Sequence, residues 1–288
     1  MIPTRPLNFS AVTHPGLARD NNEDCYLSLP EYGIWLVADG MGGHEAGEVA
    51  SAIVRDTVRE TRQKHAHTSL SESIQASHRA VLEAAARGIG ALGMGSTVVA
   101  LYSHHNEYEI AWVGDSRAYL WTSTAEGGRL EQLTTDHSYV QMLLDSGAIT
   151  AEELENHPEK NIITQCIGSQ ELVDVRVDMV HGQWQRNQWI LLCSDGLSDE
   201  LDDKGIAQVL CDAKDTQTAA DQLLHAALTN GGHDNITVQI IESPFTRRHP
   251  LASVWQWIPY LTGHRRWDAL IYGAAVVSLL VLLYSIVK

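Results

Sequence analysis

Two hydrophobic periods alternate along most of the chain, and they separate strands from helices. Brief runs rich in Val, Ile, Leu, Trp and Tyr predict strands at residues 9–13, 33–38, 97–103, 108–113, 117–122, 189–194 and 236–241. Longer amphipathic stretches of helix formers predict helices at 46–64, 71–86, 139–146, 204–211 and 216–229. The strands between residues 97 and 122 are joined by turns too short for a parallel crossover, so they are expected to pair antiparallel. The pattern is that of an α+β domain, antiparallel sheets covered by long helices. It contains no internal repeat and no low-complexity tract.

The last stretch has a different pattern. Residues 269–287 carry no charged side chain, and Leu, Val, Ile and Ala dominate. At about 1.5 Å rise per residue the run matches a hydrocarbon core of ~30 Å, so it reads as one transmembrane helix rather than a buried core helix. Arg247, Arg248, Arg265 and Arg266 precede it and only Lys288 follows, which places the preceding domain on the cytoplasmic side of the inner membrane. Trp255, Trp257, Tyr260 and Trp267 add interfacial aromatics on that side. Residues 244–268, with Pro244, Pro250 and Pro259, read as a juxtamembrane linker, and residues 1–243 as the soluble domain. The first nine residues show no apolar run of signal-peptide type, so export of the main domain is not expected.

Charge narrows the function further. The chain holds 36 acidic against 20 basic residues, a net charge of −16. That excludes non-specific binding to a nucleic-acid backbone, which needs clustered Lys and Arg. It leaves two readings: solubility, or carboxylates gathered to hold divalent metal. The four cysteines form no C-x-x-C pair, so neither a zinc site nor a disulfide framework is expected, and a reducing compartment fits. No Walker loop or dinucleotide fingerprint is present. His104 and His105 fall at a turn, and His65 and His67 at a helix end; both pairs read as solvated.

Position sharpens the metal reading. Glu23 and Asp24 close the segment Arg19-Asp-Asn-Asn-Glu-Asp24. Asp39, Asp115 and Asp195 each end a predicted strand beside or near glycine, and Asp234 stands just before one. Carboxylates gathered without cations are costly, and hard divalent ions such as Mg²⁺ or Mn²⁺ relieve that cost. Each Asp-Gly pair taken alone is also an ordinary turn, so spacing leaves both readings open.

The same residues lie in an ordered set of motifs: Gly16-Leu-Ala-Arg-Asp-Asn-Asn-Glu-Asp24, Val37-Ala-Asp-Gly-Met-Gly-Gly-His44, Met94-Gly-Ser-Thr-Val98, Val113-Gly-Asp-Ser-Arg-Ala118, Leu133-Thr-Thr-Asp-His-Ser138, Leu192-Cys-Ser-Asp-Gly-Leu197 and Gly232-His-Asp-Asn-Ile-Thr-Val238. Across residues 8–242 this set resembles the metal-dependent protein phosphatases, the type 2C family, in its bacterial branch. The resemblance implies a four-layer α-β-β-α sandwich with a paired-metal centre at one end. It implies that Asp39 bridges two Mn²⁺ or Mg²⁺ ions, that Asp195 and Asp234 complete one site, and that Glu23 and the Gly40 carbonyl serve the other. Asp24 would support the cluster, Asp115 with Asp195 would form a third, weaker metal site, and Arg19 would clamp the substrate phosphate. The implied reaction is hydrolysis of phosphoserine and phosphothreonine on proteins by water activated between the ions, opposing a Ser/Thr kinase. Eukaryotic relatives place a histidine where this chain has Met41, and His44 is not a substitute, so the leaving-group acid stays unassigned. Residues 138–161 would form a flap beside the site that shapes substrate choice. Two other readings follow: an inactive, membrane-tethered binding module of the same fold, and a narrow regulator acting on one signalling protein.

Overall fold

The computed structural model describes residues 6–43, 46–65, 68–125, 127–155 and 157–245. These fall within the compact unit Met1–Thr246. The expected transmembrane helix, all of the linker beyond Phe245, and His44 and His67 lie outside the described residues. Among the described residues no helix is long and apolar enough to cross a membrane.

In chain order the described residues form β1 (Phe9–His14), β2 (Asp24–Leu29), β3 (Ile34–Met41), α1 (Ala46–Lys64), α2 (Leu70–Ala86), β4 (Gly95–Ser96), β5 (Val98–His104), β6 (Glu107–Val113), β7 (Arg117–Thr124) and β8 (Gly127–Gln132). There follow α3 (Tyr139–Asp145), α4 (Ala151–Glu155), β9 (Asp178–Gln183), β10 (Gln188–Cys193), α5 (Asp195–Ser198), α6 (Asp203–Asp212), α7 (Thr216–Asn230) and β11 (Ile236–Glu242). One sheet runs β1-β11-β10-β7-β8 and the other β2-β3-β5-β6-β9, with β4 paired to β3. The strand pairs are antiparallel; of the strands expected between residues 97 and 122, β5 and β6 pair with each other, while β7 crosses to the other sheet and pairs with β10 and β8.

Three cores bind four layers. Leu36, Ala38, Val98, Ala100 and Ala111 pack against Val54 and Val58 of α1 and Ile74 and Val81 of α2. Trp35, Val37, Val99, Leu101 and Ile110 meet Ile190, Leu192 and Ile241 between the sheets. Leu191, Val238 and Ile240 face Ile206 and Leu210 of α6 and Ala220 and Leu223 of α7. Strand β10 is therefore buried on both faces, which is why it reads in sequence as an unbroken apolar run. The expected sandwich of two antiparallel sheets flanked by helices is the observed fold.

Besides the two-residue β4, which pairs with β3, the strands that the pattern did not predict are β2, β8 and β9, and these three lie at sheet edges. Half or more of each faces outward, so the apolar signal is thin and the neighbouring strand decides the conformation. Strand β3 also runs further than expected. Its apolar run stops at Ala38, but Asp39 pairs with Asp24 of β2, and Gly40 and Met41 pair with Ser96 and Gly95 of β4. The Asp-Gly pair at 39–40 is thus extended strand rather than turn. Helix α2 starts at Leu70, because Ser69 and Glu72 make a reciprocal capping box.

Candidate active site

The antiparallel wiring carries the singled-out acids to one end of the sandwich. Asp24 opens β2, opposite Asp39 of β3. Asp115 follows β6, Asp195 begins α5 after β10, and Asp234 precedes β11. Arg19 and Glu23 lie on the connection from β1 to β2. The strand-end expectation holds for Asp115, Asp195 and Asp234; Asp39 sits inside its strand.

Hydrogen bonds fix these backbones to each other. Thr97 donates its amide to the Asp39 carbonyl at 2.8 Å, and its hydroxyl accepts from the Asp39 amide at 3.1 Å. The same hydroxyl lies 2.7 Å from that of Ser116, linking the Asp39 and Asp115 segments. Ser194 donates to Asp24 Oδ2 at 2.7 Å. Gly40 leaves room for close approach: a Cβ there would stand 2.1 Å from the Gly47 carbonyl oxygen and 2.7 Å from that of Glu23. Arg19 Nη2 donates to Asp234 Oδ2 at 2.7 Å, with both side chains partly exposed.

Electrostatically the cluster is unbalanced. Burial raises the carboxyls of Asp24, Asp39, Asp115 and Asp195 above the ordinary range. Repulsion from neighbouring acids adds to it: Asp195 on Asp24 and Asp115, Asp24 on Asp39, and Asp199 on Asp195. Burial also raises Glu23, with Arg19 opposing it. One oxygen each of Asp24, Asp115 and Asp195 is buried without a hydrogen-bond partner. Orphaned carboxylate oxygens demand a donor or a cation. An all-oxygen donor set of this kind fits Mg²⁺ or Mn²⁺ better than a soft or nitrogen-seeking metal. Among the described residues no three such side chains already converge as a closed ligand set.

The protein-family profile for Protein phosphatase 2C matches residues 16–141. The serine/threonine phosphatase stp of Listeria monocytogenes is 35% identical over 247 residues, covering 82% of this chain and 96% of that protein. The chain belongs to the protein phosphatase 2C family. Among solved structures, Stp1 from Staphylococcus aureus is 33% identical, with a TM-score of 0.76, covering 84% of this chain and 97% of the other. The catalytic domain of the serine/threonine protein phosphatase PstP, in complex with two manganese ions, is 33% identical with a TM-score of 0.69, covering 82% and 98%.

Within this phosphatase domain the structure adds residues that the acids alone do not reveal. Asn235 is a four-way staple. Its Oδ1 accepts from the Glu23 amide at 2.7 Å, its Nδ2 donates to the Pro15 and Asn21 carbonyls at 2.9 Å each, and its amide donates to Asp234 Oδ1 at 2.8 Å. It holds the Arg19–Glu23 connection against the start of β11. Asn235→Ala is expected to cost about 2–3 kcal/mol, because it strands partly buried backbone groups. It should also lower kcat/KM by roughly tenfold by loosening Glu23 and Arg19. Urea melts and steady-state kinetics check both.

His137 clamps Gly114, the residue before Asp115. Its ring Nδ1 accepts from the Gly114 amide at 3.1 Å and its own amide donates to the Gly114 carbonyl at 3.0 Å. This requires a neutral ring with the proton on Nε2, which faces Asp178 Oδ2 at 3.3 Å. Arg117 makes a fork to Asp136 that anchors the same corner. Asn235, His137 and Asp136 all lie inside the matched motifs, so the signal was present; their roles needed the hydrogen-bond partners.

Proposed function

We propose that the chain removes phosphate from phosphoserine and phosphothreonine on proteins, using two Mn²⁺ or Mg²⁺ ions held at the acidic end of the sandwich. The observation that carries this reading is the group of buried, mutually repelling carboxylates with orphaned oxygens at that end. The manganese pair in the related PstP catalytic domain supports the choice of metal. Asp39 would bridge the ions, with Asp195 and Asp234 on one side and Glu23 and the Gly40 carbonyl on the other. Asp24, hydrogen-bonded to Ser194, would support Asp39 from the adjacent strand. Asp115 with Asp195 would offer a third site. Bound ions supply Lewis acidity toward phosphoryl oxygens and lower the pKa of water.

The chain's own residues do the rest. Arg19 has the exposure and reach to exchange Asp234 for a phosphate oxygen pair, which its planar fork suits. Arg19→Ala is expected to lower kcat/KM roughly tenfold to a hundredfold, chiefly through KM, the range of one charge-assisted hydrogen bond. A KM unchanged from wild type would remove Arg19 from phosphate binding.

Residues 138–161 would form the flap that the family resemblance implies. Its base is pinned by the Ser138–Ile163 bridge, and Lys160 and Asn161 contact Asp199 at 3.0 and 3.2 Å. Exposed Met142, with Ile162 just beyond the segment, would give it an apolar surface for peptide. The proposed setting is the cytoplasmic face of the inner membrane, anchored by residues 269–287, where the enzyme would oppose a Ser/Thr kinase. The charge-free apolar run and its upstream arginines support that setting. The reading of an inactive tethered module is not favoured, since every matched acid is present. The deciding experiment is phosphate release from a phosphothreonine peptide with Mn²⁺ and with EDTA. Release that needs the metal supports the reading, and a folded protein inactive in every divalent metal overturns it.

A further inference from the structure

The His137 ring stands where three segments meet. Its Nδ1 lies 3.1 Å from the Gly114 amide, just after β6, and 3.1 Å from Gln165 Nε2, on the segment that follows the flap. Its Nε2 lies 3.3 Å from Asp178 Oδ2, at the start of β9. The backbone of His137 joins the same segments. Its amide donates to the Gly114 carbonyl at 3.0 Å, and its carbonyl accepts from the Thr164 amide at 2.8 Å.

The neighbours decide which ring nitrogen carries the proton. Gln165 Oε1 accepts from the Arg176 amide at 2.7 Å, so the NH₂ end of Gln165 is the end that faces the ring. The Gly114 N–H can only donate. Nδ1 therefore meets donors on both sides and must be an acceptor. The proton sits on Nε2, toward Asp178, and Arg176 holds that carboxylate with a fork at 2.7 and 3.0 Å. Burial lowers the pKa of the ring and favours this neutral form, with Asp178 opposing.

Gly114 is the point where this junction touches the metal acids. Its φ is +106, and a Cβ there would stand 2.7 Å from Cβ and Cγ2 of Thr97. Thr97 brackets Asp39 from the other side, through its amide at 2.8 Å and its hydroxyl at 3.1 Å. Asp115 is the next residue in the chain. A shift of Gly114 would therefore move Asp115 directly and Asp39 through Thr97. We infer that His137 is a positioning residue for the metal acids: by accepting from the Gly114 amide, its Nδ1 sets the placement of Asp115 and Asp39 from the base of the flap. Hydrogen bonds behind a ligand of this kind set its orientation and the affinity for the ion. This role rests on the metal reading of the acidic end.

The test separates the acceptor from the ring. His137→Asn keeps an acceptor oxygen where Nδ1 stands and removes the ring. His137→Phe keeps the ring and its stacking on Trp112, with centroids 6.3 Å apart, and removes the acceptor. Mn²⁺ binding to the full chain is titrated by the EPR signal of the free ion, and hydrogen exchange across residues 110–117 is followed in EDTA. The Phe variant is expected to bind Mn²⁺ about tenfold more weakly, while the Asn variant stays within about twofold of wild type. Exchange at 110–117 should quicken in the Phe variant and hold in the Asn variant. A role in packing alone predicts the reverse order. Wild-type affinity in the Phe variant, or an Asn variant as weak as the Phe variant, would overturn the inference. If the Phe variant does not fold, the Asn variant decides alone: a tenfold loss of affinity or faster exchange at 110–117 would overturn the inference. A wild-type chain that binds no Mn²⁺ would instead remove the metal reading, and this role with it.

Discussion

Asp39→Asn is expected to abolish phosphate release while leaving a folded and more stable protein. The proposed bridge position makes this the most damaging single change. Losing one carboxylate there removes a ligand from both ions, and a loss of about 4 kcal/mol of transition-state stabilisation slows the reaction on the order of 10³-fold. The stability change runs the other way. In the metal-free protein the Asp39 carboxyl is raised by burial, then by Asp24, Asp195 and Asp115, so its charge opposes folding. An amide keeps the shape and removes that charge. The melting temperature in EDTA should therefore rise by a few degrees, as expected for about 1 kcal/mol in a domain of this size. The check is one assay and one melt on the same sample. A variant that turns over at the wild-type rate, or one that melts well below wild type in EDTA, would sink the assignment of Asp39.

That opposition between stability and function explains what the sequence could and could not disclose. Strand β10 was legible because both its faces are buried, and every residue from Trp189 to Cys193 is apolar. The acids were legible as outliers beside such runs. Asp39 was placed one step wrong, at a strand end, because Asp-Gly usually turns; only the pairing partners Asp24 and Ser96 show that it does not. Edge strands β2, β8 and β9 were missed because their conformation is set by a neighbour distant in sequence rather than by their own pattern. The same holds for Asn235. Its four hydrogen bonds reach Pro15, Asn21, Glu23 and Asp234, and nothing local to it announces three partners more than two hundred positions away. Histidines 104 and 105, read as solvated at a turn, are exposed where β5 turns into β6, because a turn's exposure is a local property that composition shows.

Divalent metal should act as a folding ligand whose effect grows with pH. Burial and neighbouring acids push Asp24 up to about 7 and Asp195 up to about 6 in the folded chain. In the unfolded chain both titrate near 4. Between about pH 4 and 7 the folded state therefore binds more protons than the unfolded state, so stability falls as pH rises through that window. Metal reverses the balance, because ligation requires the deprotonated carboxylates that the metal-free fold resists. At low pH the ions must displace protons; near neutrality they meet charges that need them. At a hundred times its dissociation constant a ligand that binds only the folded state adds about 2.7 kcal/mol, or roughly 5–10 °C in a domain of this size. The Mn²⁺-induced rise in melting temperature should thus be small at pH 5 and reach that range at pH 7.5. Asp195→Asn should remove most of it at both. Melts with Mn²⁺ and with EDTA at the two pH values measure the whole prediction. An equal rise at pH 5 and 7.5, or one that survives Asp195→Asn, would mean that the stabilising ion sits somewhere other than among these buried acids.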